Sequence, residues 1–392
     1  EQAGHGSPFI SFSTVFNNYF LPEELPDLMD TSLKEQEIFS VKKDDVFITR
    51  TSETVDALAM SCVAVKDYPK ATFSGFVKRL RPKTTGIVYS KYIAFFLRSK
   101  YFRKVLDCNT IMTLRASFNE DMFSFLYLYL PDYEEQVRIG DLLYKMEMKI
   151  RTNNKINDNL EQQAKLIYDY WFTQFDFPDE NGKPYCSSGG KMVWNEQLKR
   201  NIPENWNVVP LLKLVSWESN SQPPKSEFVY EPKEGYVRFI QNRDYDSDTH
   251  ITYIPRTKNL SIVDRFDILM DKYGDAGAVR YGIEGAFNVA LGKICVHNPN
   301  YREYIRSFLG SDGIYKFLHN SCMASTRASL SEANLEILNV VVPDEKIILD
   351  YENFLHKIRV SILKNKDETV ELINLRDWLL PMLMNGQATI AD

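Results

Sequence analysis

The stretch LRASFNEDMFSFLYLYLPD (114–132) returns 212 positions later as TRASLSEANLEILNVVVPD (326–344). At the same offset, SKYIAFFLRSKYFRKVL (90–106) matches REYIRSFLGSDGIYKFL (302–318), with several aromatic and aliphatic positions in common. Repetition at a fixed offset indicates that one structural unit is used twice, which has to be recognised before a fold is assigned. The sequence therefore predicts two copies of one domain, each followed by a long segment of its own.

The segment after each copy carries a heptad pattern. Its seam positions alternate four- and three-residue steps, from Ile139 to Trp171 after the first copy and from Tyr351 to Leu383 after the second. A 3.5-residue repeat over this length predicts a coiled coil, whereas an ordinary amphipathic helix follows a period of 3.6. Two amphipathic helices, each buried in its own domain core, remain the alternative.

Both seams become polar midway, at Asn153 and Asn157 in the first and at Asn365 and Thr369 in the second. Polar layers that meet polar layers fix the register of a coiled coil. The second copy begins where the first helix ends and finishes where the second helix begins, so antiparallel helices are expected. The predicted fold is α+β, with two pseudo-repeated α/β domains separated by a long antiparallel two-helix coiled coil.

The repeated motif itself predicts a short helix. Ser117 and Ser329 are each followed three residues later by glutamate, which is the spacing of a capping box. Short apolar strands, FLYLYL (125–130) and ILNVVV (337–342), are expected to follow and to lead into the long helices. Arg115 and Arg327 precede the predicted helix starts, where pairing with a carboxylate and contact with DNA are both open roles.

The bulk composition is that of an ordinary globular protein, with 44% hydrophobic and 26% charged residues. No apolar run approaches the ~18 residues of a membrane span, and nothing resembles a signal peptide. The five cysteines are odd in number and form no CxxC pair, which favours reduced thiols over disulfides or a zinc site. We therefore expect a cytoplasmic protein without a membrane partner.

The net charge of −6 conceals a basic zone, defined here as Pro69 to Leu106. These 38 residues hold ten lysines and arginines and no aspartate or glutamate. Clustered cations release counterions when they bind phosphates, so the zone is a candidate nucleic-acid surface. A solvated face of the domain is the alternative.

Three stretches resemble the specificity (S) subunits of Type I restriction-modification systems. They are EEQVRIGDLLYKMEMKIRTNNKINDNLEQQAKLIYDYWFTQFDF (134–177), IPENWNVVPLLKL (202–214) and LRDWLLPMLMNGQATI (375–390). The resemblance implies two target-recognition domains, each recognising one half of a bipartite site in double-stranded DNA. It also implies helices that set the spacer and dock two methylation (M) subunits, with restriction (R) subunits joining through the complex.

On this reading the chain divides into five segments. They are target-recognition domain 1 (1–133), a central conserved coiled-coil helix (134–175), a linker (176–205), target-recognition domain 2 (206–343), and a distal conserved coiled-coil helix with the C-terminal tail (344–392). The second copy has an entry strand near Trp206 that the first copy lacks, so the numbering is expected to start inside a longer protein.

No catalytic constellation is found in the sequence. A methyltransferase would carry an NPPF-like or DPPY-like motif and a nuclease a PD…ExK motif, and neither pattern is present. The histidines lack metal-ligand spacing, so neither a metal nor a cofactor is expected. A non-enzyme is predicted. The alternatives are a single-chain modifying enzyme with a divergent site, and a stand-alone DNA-binding or coiled-coil scaffold protein without a restriction partner.

DNA recognition is then expected from loops of the two domains. Arginine and lysine can bind the edge of guanine, and asparagine and glutamine that of adenine, although most contacts go to phosphates. The candidates are Arg50, Lys78, Arg79, Arg81, Lys83 and Arg115 in the first copy, and Gln241, Asn242, Arg243, Lys272, Tyr273, Arg280 and Arg327 in the second. Tyr273-Gly274 is the predicted tip of a loop.

Overall fold

The structure, a computed structural model, describes residues 3–52, 58–109, 116–117, 127–128, 130–246, 250–323 and 329–390. The chain forms two compact units. The first unit contains the residues up to Asn153 together with those from Asp367 onward, and the second unit contains Asn154–Lys366. Each unit combines mixed or antiparallel sheets with helices, so the predicted α+β class is confirmed.

The strands of the first unit are short and form three small sheets. They are β1 (Ala3–Ile10), β2 (Asp27–Met29), β3 (Val46–Thr49), β4 (Thr51–Ser52), β5 (Ser61–Val63), β6 (Thr72–Phe73), β7 (Val77–Leu80) and β8 (Ala116–Ser117). The sheet orders are β2-β1-β6, β5-β3-β7 and β4-β8. Strand β3 is buried along its whole length and lies at the centre of its sheet.

The helices of the first unit begin at side-chain caps or pack tightly on the sheet. They are α1 (Phe12–Asn17), α2 (Leu33–Ile38), α3 (Ser90–Phe96) and α4 (Lys100–Asn109). Ser32 and Glu35 form a reciprocal capping box at the start of α2. Helix α3 is almost wholly buried, with Phe95 and Phe96 in the same core as Phe20 and Ile48.

A long helix, α5 (Tyr133–Tyr168), leads from the first unit into the second and continues as one π-helical turn, Asp169–Thr173. Its start is capped by Asp132, whose Oδ1 accepts a hydrogen bond of 2.8 Å from the backbone N–H of Glu135. This cap satisfies one of the N–H groups that the first helical turn leaves without a partner.

The second unit is richer in strands. They are β9 (Met192–Asn195), β10 (Arg200–Pro203), β11 (Asn207–Pro210), β12 (Val215–Ser219), β13 (Tyr236–Ile240), β14 (Tyr253–Pro255), β15 (Ile262–Val263), β16 (Ile268–Asp271), β17 (Val279–Arg280), β18 (Gly285–Phe287), β19 (Leu291–Val296) and β20 (Asn339–Val342). Two four-stranded sheets, β12-β19-β16-β17 and β14-β13-β18-β15, form its body. The pairs β9-β10 and β11-β20 complete it.

The helices of the second unit are α6 (Arg302–Leu309), α7 (Asp312–Met323), α8 (Glu332–Glu336) and the long α9 (Glu345–Met384), which continues into the first unit. Short 3-10 turns lie at Leu211–Lys213, Lys225–Glu227, Asn242–Tyr245 and Pro299–Tyr301. Of the predicted strand ILNVVV (337–342), Asn339–Val342 form β20, which pairs with β11 in an antiparallel register, whereas Ile337 caps the end of α8.

The two units repeat the same parallel strand pair. Strand β1 pairs with β6 through Phe9 and Thr72, and β13 pairs with β18 through Phe239 and Ala286. Immediately afterwards, the N–H of Ser74 donates to Ile10 O at 3.0 Å, and the N–H of Asn288 donates to Ile240 O at 3.0 Å. The internal repeat therefore extends into the strands that precede the repeated sequence motif.

The central strands repeat as well. Strand β3 lies between β5 and β7, and β16 lies between β17 and β19. At the ends of these strands, the N–H of Thr49 donates to Met60 O at 2.9 Å and that of Asp271 to Ala278 O at 3.0 Å. The preceding residues, Ala59 and Gly277, both have positive φ angles, of 54° and 96°. Thr49 and Asp271 are thus equivalent positions.

Within each unit, α5 and α9 pack in antiparallel directions. In the first unit Glu147 pairs with Arg376 at 2.9 Å, and Asn153 donates to Glu368 at 2.8 Å. Residue numbers therefore increase along α5 while those of the contacted residues decrease along α9. All the seam positions from Ile139 to Trp171 and from Tyr351 to Leu383 are buried or half-buried.

The same direction holds in the second unit, where Asn365 donates to Asn157 at 2.9 Å and Arg359 pairs with Glu161.

The repeated motif does not begin a helix at either predicted serine. Ser117 lies in β8, paired with Thr51, so the expected helix start at Ser117 is wrong. In the second copy α8 begins at Glu332, capped by Ser331, which forms the reciprocal capping box with Asn334. The Ser329-to-Glu332 box is therefore also wrong, because an asparagine at the third helical position accepts the reciprocal hydrogen bond in place of glutamate. Most of the predicted strand 125–130 lies outside the described residues.

The start of α6 is anchored to α9 by a carboxylate. The N–H of Glu303 donates to Glu352 Oε2 at 2.8 Å. Burial raises the pKa of Glu352 to about 7, and the neighbouring Glu303 carboxylate acts in the same direction. The position of α5 that lies 212 residues earlier is Gly140, where a Cβ would lie 2.8 Å from the backbone nitrogen of Tyr92 at the start of α3. In each unit the start of a short helix thus packs on a long helix. In the second unit the contact is made by the Glu352 side chain, and in the first unit by the close approach of the backbone at Gly140.

We predict that the free energy of unfolding of the second unit falls as the pH rises. Between the ordinary carboxyl pKa of 4.5 and the folded value of about 7, the folded state holds a proton at Glu352 that the unfolded chain has lost. The stabilisation is complete below this window and is lost above it. Urea unfolding followed by tryptophan fluorescence at pH 5, 6, 7 and 8 measures it, because four of the five tryptophans lie in this unit.

In Glu352→Gln the pH dependence should flatten, since the amide oxygen still accepts the Glu303 N–H without titrating. Glu336→Gln, an exposed change at the end of α8, serves as the matched control. An unaltered pH profile in Glu352→Gln would contradict the assignment.

Candidate nucleic-acid interface

Two candidate cations occupy the same place in the two units. Arg50 directly follows β3, and its N–H donates to Phe76 O at 2.8 Å. Lys272 directly follows β16, and its N–H donates to Ala290 O at 2.8 Å. Arg50 is exposed and Lys272 is half-buried. Arg50 and Lys272, which no feature of the sequence aligns, are therefore structurally equivalent residues at the end of the central strand.

A hairpin loop follows Lys272 in the second unit. In the second unit the loop contains Tyr273, which is half exposed, and Gly274, whose φ of 74° lies in the left-handed region. This agrees with the predicted loop tip, because a positive φ suits glycine. In the first unit Arg50 is followed directly by β4, and residues 53–57 lie outside the described residues.

In the second unit, a polar cluster forms around Asp271. Arg280 donates to Asp271 Oδ2 through Nε at 3.2 Å and through Nη2 at 2.8 Å, and its guanidinium lies over the ring of Tyr245 at 5.7 Å. Burial raises the pKa of Asp271, while hydrogen bonds from Arg280 and Asn242 act against that rise. The candidates Asn242, Lys272 and Arg280 are therefore neighbours at one end of the second unit.

The other two candidates of this unit lie close by in sequence but differ in role. Gln241 directs its side chain to Thr252 Oγ1 at 3.1 Å and caps the 3-10 turn, so its amide is already used within the domain. Arg243 is exposed, and its nearest described acceptors are His250 O at 3.5 Å and the Asp244 carboxylate at 3.8 Å. Arg243 thus remains accessible to a ligand.

In the first unit, Arg79 and Arg81 lie away from Arg50. Arg81 forms a two-point ion pair with Asp45, with both distances at 2.6 Å, and also donates to Ser40 O. Arg79 donates to the same carbonyl and lies over Phe73. Asp45 directly precedes β3, whereas Arg50 follows that strand. The candidates of the first copy are therefore divided between opposite ends of one strand.

The second unit has the counterpart of this ion pair. Asp45 accepts from the N–H of Lys42 at 2.8 Å, and Asp267 accepts from the N–H of Asp264 at 2.9 Å. Asp267 in turn pairs with Lys293 at 2.9 Å. Because the same turn carries an aspartate bound by a cation in both units, the Arg81 pair belongs to the framework of the domain.

The basic zone is not one continuous phosphate surface. Arg98 donates to the carbonyls of Val15, Phe16 and Asn18 as well as Ser61, and Arg103 donates to Leu58 O. Guanidinium groups have five N–H donors, which suits them to loop carbonyls that no strand partner satisfies. The exposed cations of the zone are Lys70, Arg81, Lys83, Lys100 and Lys104. Lys78 is half-buried in β7, opposite Ile48.

Arg115 and Arg327 lie outside the described residues. Among the residues that the structure does describe, no group of three or more histidine, cysteine, aspartate or glutamate side chains could hold a metal ion. No helix in the same ranges is both long and apolar enough to cross a membrane.

The sequence analysis missed the acidic partners of the cations. Asp45 and Asp271 are both almost fully buried, and each holds an arginine. The available signal was an aspartate at either end of a short apolar run, with an arginine further along the chain.

Comparison with known proteins finds matches that share one description, that of Type I specificity subunits. Residues 2–162 match the family model described as the Type I restriction modification DNA specificity domain. The MjaIX Type I specificity subunit of Methanocaldococcus jannaschii is 23% identical over 351 residues, covering 84% of this chain and 76% of that relative. The HindI Type I specificity subunit of Haemophilus influenzae is 23% identical over 446 aligned positions, covering 97% of this chain and 94% of the relative.

A solved structure shows the same fold. The crystal structure of the Type I S subunit from M. genitalium superposes with a TM-score of 0.60 at 13% identity, covering 97% of this chain and 92% of that one. The resemblance deduced from the sequence is confirmed by these matches. The predicted role as a specificity subunit that is not itself an enzyme agrees with these matches, all of which are named as specificity components.

Proposed function

We propose that the chain belongs to the Type I restriction-modification specificity family, whose model matches residues 2–162, and that each unit recognises one half of a bipartite DNA site. The family model matches the first copy, and the second unit repeats the hydrogen bonds of the first at its central strands. A domain with the same framework is expected to approach DNA in the same way. As a DNA-recognition subunit, the chain would act in the cytoplasm.

The equivalence of Arg50 and Lys272 carries this proposal. Each cation directly follows a central strand and donates the same backbone hydrogen bond to the neighbouring strand, which supports the same orientation in both domains. Loops held by a rigid sheet are the usual location of recognition residues. Arg79 and Arg81 lie at the other end of β3 and bind acceptors of the domain itself. We therefore assign the DNA-facing end of each unit to the end that carries Arg50 or Lys272.

We predict that Arg50→Ala and Lys272→Ala each weaken recognition of a different half-site. Each lost phosphate contact should lower the slope of log affinity against log salt by about 1. The measurement is a salt titration of the complex with its M subunits on the target duplex and on duplexes with one scrambled half-site. Lys34→Ala and Lys258→Ala, which remove exposed lysines elsewhere in each unit, are the matched controls. Unchanged slopes in both test variants would contradict the assignment.

The two long helices are proposed to set the distance between the half-sites. The seam from Ile139 to Trp171 spans 33 residues, about 50 Å at ~1.5 Å per residue. Two related readers on one face of B-DNA need half-site centres ~34–36 Å apart, which helices of this length can span. The contacts of Asn153 with Thr369 and of Asn157 with Asn365 support a role of these polar residues in fixing the register.

Removing one heptad from each helix tests this role. Deletion of Asn154–Leu160 together with Ile362–Glu368 keeps the Glu147–Arg376 and Glu161–Arg359 pairs and the Asn153–Thr369 contact. It removes ~10 Å of helix, equivalent to about three base pairs. We expect both half-site sequences to persist with a shorter spacer, measured by methylome sequencing of a host that expresses the variant with its M subunit. Full modification at the original spacer would exclude the helices as the ruler.

Docking of M subunits is proposed on the long helices. Leu166 of α5 and Trp378 of α9 are 212 positions apart, and they are 66% and 64% exposed. A large apolar side chain on the outside of a helix is a typical anchor of a protein interface. Its presence at equivalent positions supports two docking sites of one kind and hence two M subunits, with R subunits joining through the complex.

Leu166→Glu and Trp378→Glu should each remove one copy of the M subunit, and the double variant should remove both, because a carboxylate cannot enter an apolar pocket without a large desolvation cost. Native mass spectrometry of the reconstituted complex counts the copies. Gln163→Glu and Asn374→Glu introduce the same charge at exposed positions nearby. Retention of both copies in the double variant would disprove the proposed sites.

A further inference from the structure

At the equivalent described positions of the first unit, other residues replace the polar cluster around Asp271. The position equivalent to Asp271 is Thr49, from the matching hydrogen bonds at the ends of the central strands. The position equivalent to Arg280 is Cys62, since Arg280 pairs with Leu269 and Cys62 with Phe47 at the same point of those strands. Thr49 and Cys62 are both fully buried. The domain therefore folds around its central strand without this cluster.

Tyr245, over whose ring Arg280 lies, is also replaced by a different kind of residue in the first unit. Ile10 and Ile240 are equivalent, and the next residues, Ser11 and Gln241, both cap a short helical turn. Counting on from these caps, Tyr245 takes the place that a buried valine, Val15, occupies in the first unit. Three positions that are apolar or small in one unit thus become tyrosine, arginine and aspartate in the other.

The guanidinium of Arg280 is held along one edge. Its Nε and one N–H of Nη2 face Asp271, while the Asp275 carboxylate lies 3.4 Å from Nη2 and is half exposed. Nη1 donates to no acceptor within the described ranges, and a quarter of the Arg280 side chain is accessible to solvent. The outer edge is formed by Nη1 and the second N–H of Nη2, and within the described ranges it makes only the long 3.4 Å hydrogen bond from Nη2 to the half-exposed Asp275. A planar acceptor pair could bind there by displacing Asp275.

Guanine offers such a pair in the major groove, where O6 and N7 accept two parallel hydrogen bonds from arginine. Fixing the guanidinium against Asp271 and over Tyr245 lowers the conformational entropy that the side chain would lose on binding. Lysine could not reproduce this geometry, because its ammonium is a point charge without a planar fork. Lys272, next to Asp271 in sequence, supplies a cation for a neighbouring phosphate.

We propose that Arg280, positioned by Asp271 and Tyr245, recognises a guanine in the half-site of the second unit. This inference rests on the proposed function, and it adds a specific base to it. The first unit has Cys62 at the equivalent position, so its half-site is recognised by other side chains. The two half-sites of the target are therefore expected to differ at this position.

Methylome sequencing of a host that expresses the chain with its M subunit tests the inference. The half-site of the second unit is the one affected by Lys272→Ala. In Arg280→Ala, we expect one guanine of that half-site to lose its preference over the other bases by roughly 5- to 150-fold, with the remaining positions unchanged. Arg280→Lys retains a partner for Asp271 and should show the same relaxation with the domain folded. Arg256→Ala, an exposed arginine beside the opposite end of β13, is the matched control.

The possible outcomes distinguish a failure of the proposed function from a failure of the Arg280 inference. A wild-type methylome without any bipartite motif would contradict the proposed function. A bipartite motif whose second-unit half-site contains no guanine, or keeps every preference in Arg280→Lys, would overturn only the present inference. A uniform loss of modification at all sites in folded Arg280→Ala, with Arg280→Lys unaffected, would assign the residue to a phosphate and would likewise overturn it.

Discussion

The pairing of α5 with α9 is the contact on which both units depend. In the first unit, Ile139 and Leu143 of α5 share a core with Leu380 and Leu383 of α9. In the second unit, Tyr168 and Phe172, from the end of α5 and the turn after it, pack in one core with Tyr351 and Leu355 of α9. Neither unit has a complete core without both long helices. The seam residues near the ends of the two helices therefore form part of the core of each unit.

A buried arginine of α9, Arg359, forms ion pairs with both α5 and α6. Arg359 lies between Glu161 and Glu303, and Arg306 also binds Glu303. Burial alone would raise the pKa of Glu303, but the two arginines lower it overall. Loss of Arg359 would leave a buried carboxylate with less compensation, which is costly, so this pairing specifies the contact more than it strengthens it.

The heptad pattern and the internal repeat were predictable because both are periodic in the sequence. The polar seam residues indeed meet, as the contact between Asn157 and Asn365 shows. The equivalence of Arg50 and Lys272 was not predictable, because the loops between the strands differ in length and the offset of 212 no longer holds there. Sequence alone also grouped Arg81 with Arg50, since it cannot show that an aspartate before β3 binds one of them.

Comparison of the two units distinguishes the contacts that both domains share from those that only the second unit has. Their central strands keep the same backbone hydrogen bonds, which do not depend on the side chains at Thr49 or Asp271. Burying Asp271 costs desolvation, as the raised pKa of its carboxyl shows, and Arg280 offsets that cost. A domain of this fold is complete with Thr49 and Cys62, so stability does not require the pair. An expensive polar cluster that the framework does not need, beside a loop at the end of a strand, is best explained by what it binds.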